Sequence, residues 1–195
     1  MRLQKICFAT NNQHKIKELN AMLGDSIKLL SLEEIGCTEE LAETSDTLEG
    51  NSIQKAQYVY KKYGVACFAD DTGLEVEALS GEPGVYSARY AGAERNPEAN
   101  MNLLLKNLEG KENRNARFKT VITYFDASGN QIQFEGVVNG AIIVDKRGGE
   151  GFGYDPIFIP NGYDITFAEM DLTEKNKISH RALAVQKLVS FLNNQ

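Results

Sequence analysis

Two long stretches, residues 116–125 and 131–144, constrain this chain more than any other feature. Apolar and polar residues alternate along both, which is the period of a strand with one face buried. Asp126-Ala127-Ser128-Gly129-Asn130 joins them, a composition suited to a hairpin loop. An antiparallel pair is therefore expected in the middle of the chain. What flanks it reads differently. Residues 6–9 form a short apolar run, then a polar loop, then a helical pattern with Ile16, Leu19, Met22 and Leu23 on one face and Gly24 to close it. Residues 27–30, Ile-Lys-Leu-Leu, suggest a second strand, so the chain opens as a β-α-β unit. A second helix is predicted over residues 52–63, with Gly64 ending it and a buried strand over 65–69. Asn96-Pro97 has the form of a cap and a first helical residue, and that helix presents Leu103, Leu104 and Leu108. A last helix is predicted over about residues 179–192.

The predicted architecture is α/β: a mixed, elongated central β-sheet flanked by helices, with two lobes and an active-site cleft between them. With 195 residues, 42% of them hydrophobic, the chain can bury one substantial core. Only 4 prolines and no linker-like tract occur, so residues 1–195 are read as a single two-lobed domain. The net charge of −6 argues against a nucleic-acid backbone as partner, though a small anion can still be held in a locally basic site. Cys7, Cys37 and Cys67 are odd in number and lack Cys-x-x-Cys spacing, so neither a disulfide framework nor a zinc site is expected. No apolar run is long enough for a signal peptide or a membrane span. A reducing, cytoplasmic setting fits these features.

The apolar run before Asp70-Asp71 makes that pair the first candidate for chemistry. Successive side chains on a strand point to opposite faces, and two neighbouring carboxylates repel unless one takes a proton or a cation intervenes. Oxygen ligands suit a hard divalent metal, with one carboxylate left as a base. The competing reading is a strand-ending turn, since Asp and Gly are common turn residues.

Four further segments stand out. Thr10, Asn11, Asn12, Gln13, His14 and Lys15 lie between a strand and a helix start, where free N–H groups and the helix dipole favour phosphate; the same residues also suit an ordinary N-cap. Glu43 to Asn51, followed by Lys55, supplies carboxylates and a lysine, or else only a solvated loop with a capping residue. Gly148 to Pro156 has four glycines in six positions and two rings, Phe152 and Tyr154, able to stack on a planar base; a glycine-rich turn is the alternative. Lys175 to Arg181, with His180, places positive charge at a presumed helix head, where the dipole opposes it and anion binding would favour it. Arg89 is a weaker candidate, for phosphate or for pairing with an acid.

Together these segments resemble the inosine triphosphate pyrophosphatase family, which hydrolyses non-standard purine nucleoside triphosphates. The motifs run in family order: Thr10, Asn12 and Lys15; Glu43-Thr44; Asn51 through Lys55-Ala56; Ala69 to Leu74; Pro83 to Arg89; Gly151 to Pro156; and Ser179-His180-Arg181. Thr72 stands where Ser is usual, Ser45 where Gly is common, Leu48 where Phe is usual, and Gly50 where an acidic residue is usual.

The resemblance implies cleavage of inosine, deoxyinosine or xanthosine triphosphate to the monophosphate and pyrophosphate, cleansing the nucleotide pool. It implies Mg²⁺ on Asp71 and Glu43, Asp71 as proton acceptor, and Lys15 as a catalytic phosphate contact. It implies substrate binding by Thr10, Asn11, Asn12, Gln13, His14 and Lys15, by Thr72, by Phe152, Gly153, Tyr154 and Asp155, and by Lys175, His180 and Arg181. Lys15 and Lys175 would hold phosphate charge; the Phe152 segment, His180 and Arg181 would hold the base, with donors to O6. A homodimer is implied, with no nucleic acid and no membrane as partner. Two other readings remain: a related pyrophosphatase for modified pyrimidine or methylated nucleotides, and a non-catalytic nucleotide-binding module.

Overall fold

The computed structural model describes residues 4–23 and 27–194. Strand β1 (Gln4–Phe8), helix α1 (Gln13–Asn20) and strand β2 (Ile27–Leu30) form the expected β-α-β unit, with β1 and β2 parallel and Ile6 opposite Leu29. Helix α1 is shorter than its apolar spacing suggests. It ends at Asn20, and Met22 and Leu23 fold back through N–H bonds to the Leu19 carbonyl. The predicted closing glycine, Gly24, lies outside the described residues.

Helix α2 (Leu48–Tyr63) starts a turn earlier than predicted, because the Thr47 side chain caps it by accepting from the Gly50 N–H. Gly64 ends it in a left-handed conformation, as expected. The largest departure is strand β3 (Cys67–Val76), which does not stop at the aspartates but runs through them. The turn reading of Asp70-Asp71 is therefore corrected: both carboxylates sit in the interior of a ten-residue strand. The apolar run alone had suggested an end there, because charged residues rarely lie in a buried strand without partners.

After β3 come the two-residue strand β4 (Pro83–Gly84) and helix α3 (Pro97–Asn107), capped by Asn96 as predicted. The long pair is β5 (Asn115–Phe125) and β6 (Gln131–Ile142); their loop is closed by Asp126, whose carboxylate accepts from Ser128 and Asn130. Strand β7 (Phe158–Pro160) runs antiparallel to β6. The chain ends in α4 (Leu172–Ile178) and α5 (His180–Asn193), two helices where one head had been expected. Among the described residues the strands form one mixed seven-stranded sheet in the order β2-β1-β3-β5-β6-β7, with β4 on β3.

The chain divides into two compact units. The first takes the chain as far as Asp71, with Thr120–Gly136 and the stretch from Ala182. Strand alternation gives it two buried faces. Ile6, Phe8 and Phe68 pack with Leu19 of α1 and Ala184, Val185 and Leu188 of α5. Cys7, Ala9, Cys67 and Ala69, one residue out of phase, pack with Ala56 and Val59 of α2. Phe8 and Phe68 stack with centroids 4.7 Å apart. Cys7 and Cys67 are buried thiols as expected, and burial pushes each up to about 12; Cys37 is buried with them.

The second unit comprises Thr72–Lys119 and Val137–Arg181. Its core gathers Leu74 and Val76 of β3, Leu104 and Leu108 at the end of α3, Phe118 of β5, and Phe158 and Phe167. No helix among the described residues is long and apolar enough to cross a membrane.

Candidate active site

The two faces of β3 decide what each aspartate meets. Asp70 is in phase with Phe68, on the α1 side, and its Oδ1 accepts from Lys15 Nζ at 2.8 Å. Asp71 is in phase with Cys67 and Ala69, on the α2 side, and its Oδ2 accepts from Asn51 Nδ2 at 3.0 Å. Alternation along one strand thus gives two adjacent carboxylates different partners.

Lys55, one turn further along α2 than Asn51, is 6% exposed. Its ammonium donates to Glu43 Oε1 at 2.6 Å and to the Asp70 carbonyl at 2.7 Å. The solvated-loop reading holds for Thr44, Asp46 and the capping Thr47, which are exposed, but not for Asn51 and Lys55 of α2, which are buried and bonded. Sequence reasoning did not assign Lys55 a site role. Its signal was present, a lysine on the apolar face of a helix four residues after a polar Asn51, but a lysine at that spacing is usually solvated.

Charge follows from this packing. Burial alone would depress Lys55, yet Asp71, Glu43 and Asp70 outweigh it and hold the ammonium above its ordinary value. Burial pushes the Asp71 carboxyl above its ordinary value, against the pull of Lys55, Lys15 and the Asn51 amide. Two lysines face three carboxylates, which leaves an excess of negative charge in a low-dielectric site. No group of three or more His, Cys, Asp and Glu with metal-holding geometry occurs among the described residues. The donor set is nonetheless all oxygen and acidic, the chemistry of a hard divalent cation that takes its remaining ligands from water and phosphate.

The Thr10–Lys15 segment forms a tight cap. Asn12 Oδ1 accepts from the His14 and Lys15 N–H groups, and Thr10 Oγ1 accepts from the Asn12 N–H. The cap reading holds for this segment: Asn12 uses its side-chain oxygen locally, while Lys15 reaches Asp70. Asn11, Gln13 and His14 are exposed on this turn.

The two departures in the acidic loop meet each other. A Cβ on Gly50 would lie 2.0 Å from Ser45 Oγ and 3.0 Å from Thr47 Oγ1. The Ser45 hydroxyl occupies the space that a side chain at position 50 would need. Serine at 45 therefore favours glycine at 50.

In the second unit, Lys175 Nζ donates to Asp155 Oδ2 at 2.8 Å, with each side chain 4% exposed. The same carboxylate oxygen accepts from the Phe152 N–H at 2.8 Å. Lys175 Nζ lies 5.3 Å and Arg181 Cζ 5.4 Å from the Phe152 ring centre, within cation–π range. Arg181 Nη2 reaches Thr72 Oγ1 at 3.3 Å. His180 is 4% exposed and stacks on Phe118 at 4.5 Å.

Three expectations change here. Tyr154 is buried in the core and its hydroxyl donates to the Ser87 carbonyl, so its ring offers no stacking face; Phe152 is only half-buried. Lys175 and Lys177 lie in the last turn of α4 rather than at a helix head, where the dipole favours them, so the charge-misplacement argument holds only for His180 and Arg181. Lys175 is paired with Asp155 beside Phe152. Gly148 is a close-approach position, its missing Cβ facing the Ala168 carbonyl at 2.3 Å, which supports the turn reading for that end of the glycine run. Arg89 stacks over Tyr86 at 5.2 Å.

The fold and the buried charge cluster define a class: an α/β protein whose central strand carries paired carboxylates held from either side by helix-borne lysine and asparagine. The chain belongs to the Ham1 family, whose model matches residues 6–191. It is 57% identical over 188 residues to a dITP/XTP pyrophosphatase of Flavobacterium johnsoniae, covering 96% of this chain and 97% of that protein. Among solved structures it resembles the Staphylococcus aureus Ham1 protein, with TM-score 0.89, 39% identity and coverage of 98% and 99%. It also resembles a HAM1 protein of Coxiella burnetii, with TM-score 0.91, 36% identity and coverage of 98% and 100%.

Proposed function

We propose that this chain hydrolyses the non-standard purine nucleoside triphosphates of inosine, deoxyinosine and xanthosine to the monophosphate and pyrophosphate, removing them from the nucleotide pool. The observation that carries this reading is the buried cluster around Asp71 on β3, in a chain whose relatives bear the name dITP/XTP pyrophosphatase. Asp71 accepts a proton from water as the water oxygen bonds the α-phosphorus. The bond from that phosphorus to the bridging oxygen breaks, and pyrophosphate leaves with the electron pair. A positioned base of this kind contributes about 10²–10⁴-fold. The environment that raises the Asp71 carboxyl also makes it a better proton acceptor.

Lys15 and the Thr10–His14 turn hold phosphate charge. Preorganised donors of this kind are each worth about 3–4 kcal/mol when removed. Mg²⁺ on Asp71 and Glu43 would neutralise phosphate charge, and the acidic, all-oxygen donor set supports that assignment. In the second unit, Phe152 supplies a stacking ring and Arg181 a donor for a purine O6. Thr72, Gly153, Tyr154, Asp155, Lys175 and His180 shape that segment. The working protein is a homodimer by its resemblance to the family, and its setting is reducing and cytoplasmic, which three buried free thiols support.

The test is pyrophosphate release from inosine, xanthosine, guanosine and adenosine triphosphates, with dUTP and a methylated nucleotide alongside, in Mg²⁺ and in chelator. Magnesium-dependent release favouring inosine and xanthosine is expected. Preference for the pyrimidine or methylated substrate, or binding without release, would overturn the reading.

A further inference from the structure

We propose that Asn51 is a positioning residue that ties the backbone of the loop carrying Glu43 to the Asp71 carboxylate. The inference rests on the function proposed above. Asn51 Oδ1 accepts from the Ser45 N–H at 2.9 Å, and Nδ2 donates to Asp71 Oδ2 at 3.0 Å. The residue is 1% exposed. An amide is planar and rigid, so the loop backbone and the carboxylate are held at a fixed separation by three atoms. Its orientation is also determined: only the oxygen can accept from Ser45, and only the nitrogen can donate to a carboxylate.

The seat beneath this strut is specific. Asn51 lies in the first turn of α2, its own N–H bonded to the Thr47 carbonyl at 3.1 Å. The neighbouring Gly50 has no side chain to obstruct Ser45, whose Oγ would be 2.0 Å from a Cβ there. The loop has other tethers to α2: Glu43 Oε1 accepts from Lys55 Nζ at 2.6 Å, and the Thr44 N–H donates to Gln54 Oε1 at 3.0 Å, the latter solvent-exposed. Lys55 and Gln54 hold the loop to the helix; Asn51 holds it to the Asp71 carboxylate. Misplacing reacting groups by about 1 Å can cost about 10²-fold in rate.

Asn51→Asp keeps the shape and the acceptor for Ser45 but replaces the N–H facing Asp71 with oxygen. With wild-type protein active on inosine triphosphate, this variant is expected to lower kcat by about 10²-fold per folded molecule, with KM changed by only a few-fold. Gln54→Ala is expected to stay within about threefold of wild type. Gly50→Ala, which strains the seat through Ser45, should lower kcat, and adding Ser45→Gly should restore it; this pair decides the matter if Asn51→Asp does not fold. A kcat for Asn51→Asp within twofold of wild type, a loss confined to KM, a Gln54→Ala defect of equal size, or no rescue by Ser45→Gly would each overturn the inference. Those results leave the proposed activity standing. Inactivity of the wild-type protein would instead overturn the activity itself.

Discussion

Lys15 Nζ and Asp70 Oδ1 form a 2.8 Å ion pair that links the first turn of α1 to the middle of β3. The neighbouring residue, Asp71, bonds Asn51 on the other face. One carboxylate anchors a lysine beside a capped helix start; the next is buried and its carboxyl raised by that burial. The difference follows from a one-residue step along a strand.

Asp71→Asn should reduce pyrophosphate release from inosine triphosphate by about 10²–10⁴-fold. The thermal midpoint should not fall, because the change removes a buried charge and its desolvation cost. Circular-dichroism melting beside a pyrophosphate assay checks both, and wild-type turnover by the variant would remove Asp71 from the mechanism.

Arg181→Lys should narrow the preference for inosine over adenosine triphosphate by about tenfold, since lysine keeps the charge but loses the planar fork. The ratio of kcat/KM for the two substrates measures it. An unchanged ratio would take Arg181 out of base recognition.

Lys175→Met should destabilise the protein by about 3–5 kcal/mol, because it strands the buried Asp155 carboxylate. Lys177→Met, on the exposed side of the same helix, should stay within about 0.5 kcal/mol. Urea unfolding of the two variants makes the comparison; equal effects would mean that the Asp155 pair does not stabilise the fold.

Glu39 supplies a pH prediction. The Lys62 ammonium, then the Tyr63 hydroxyl, holds its carboxyl down at about 2 against an ordinary value of 4.5. A depressed carboxyl adds stability above the unfolded value and loses it as pH falls towards the folded one. The thermal midpoint of wild type should therefore exceed that of Glu39→Gln at neutral pH, and the gap should close between about pH 4.5 and 2. A gap that is constant with pH would contradict the assignment.

The sequence and the structure agree where local rules decide. Asn96-Pro97 caps α3, Gly64 ends α2, and the Asp126 loop closes the long hairpin, because each depends on a few neighbouring residues. They part where burial is set by distant chain. Asp70-Asp71 looked like a strand end since nothing local announces Lys15, 55 residues earlier, or Asn51, 20 residues earlier. The pairing of Lys55 with Glu43 is hidden for the same reason, since the two are 12 residues apart. Tyr154 looked like a stacking ring because the Ser87 carbonyl that takes its hydroxyl is 67 residues away. The last helix begins within a residue of the predicted 179, but the short helix α4 before it goes unannounced, because its seven residues carry no run of apolar positions at helical spacing.

The contact between Ser45 and Gly50 restricts the order in which this loop can change over generations. A residue with a Cβ at position 50 forces the serine at 45 to shift, since that Cβ would lie 2.0 Å from its Oγ and 2.7 Å from its Cβ. Moving between the two arrangements by single substitutions without a clash requires an intermediate with glycine at both positions, and that intermediate carries extra backbone freedom in the segment leading to Glu43. While Ser45 stays, any larger side chain at position 50 carries this strain, and the strain is relieved once position 45 becomes glycine.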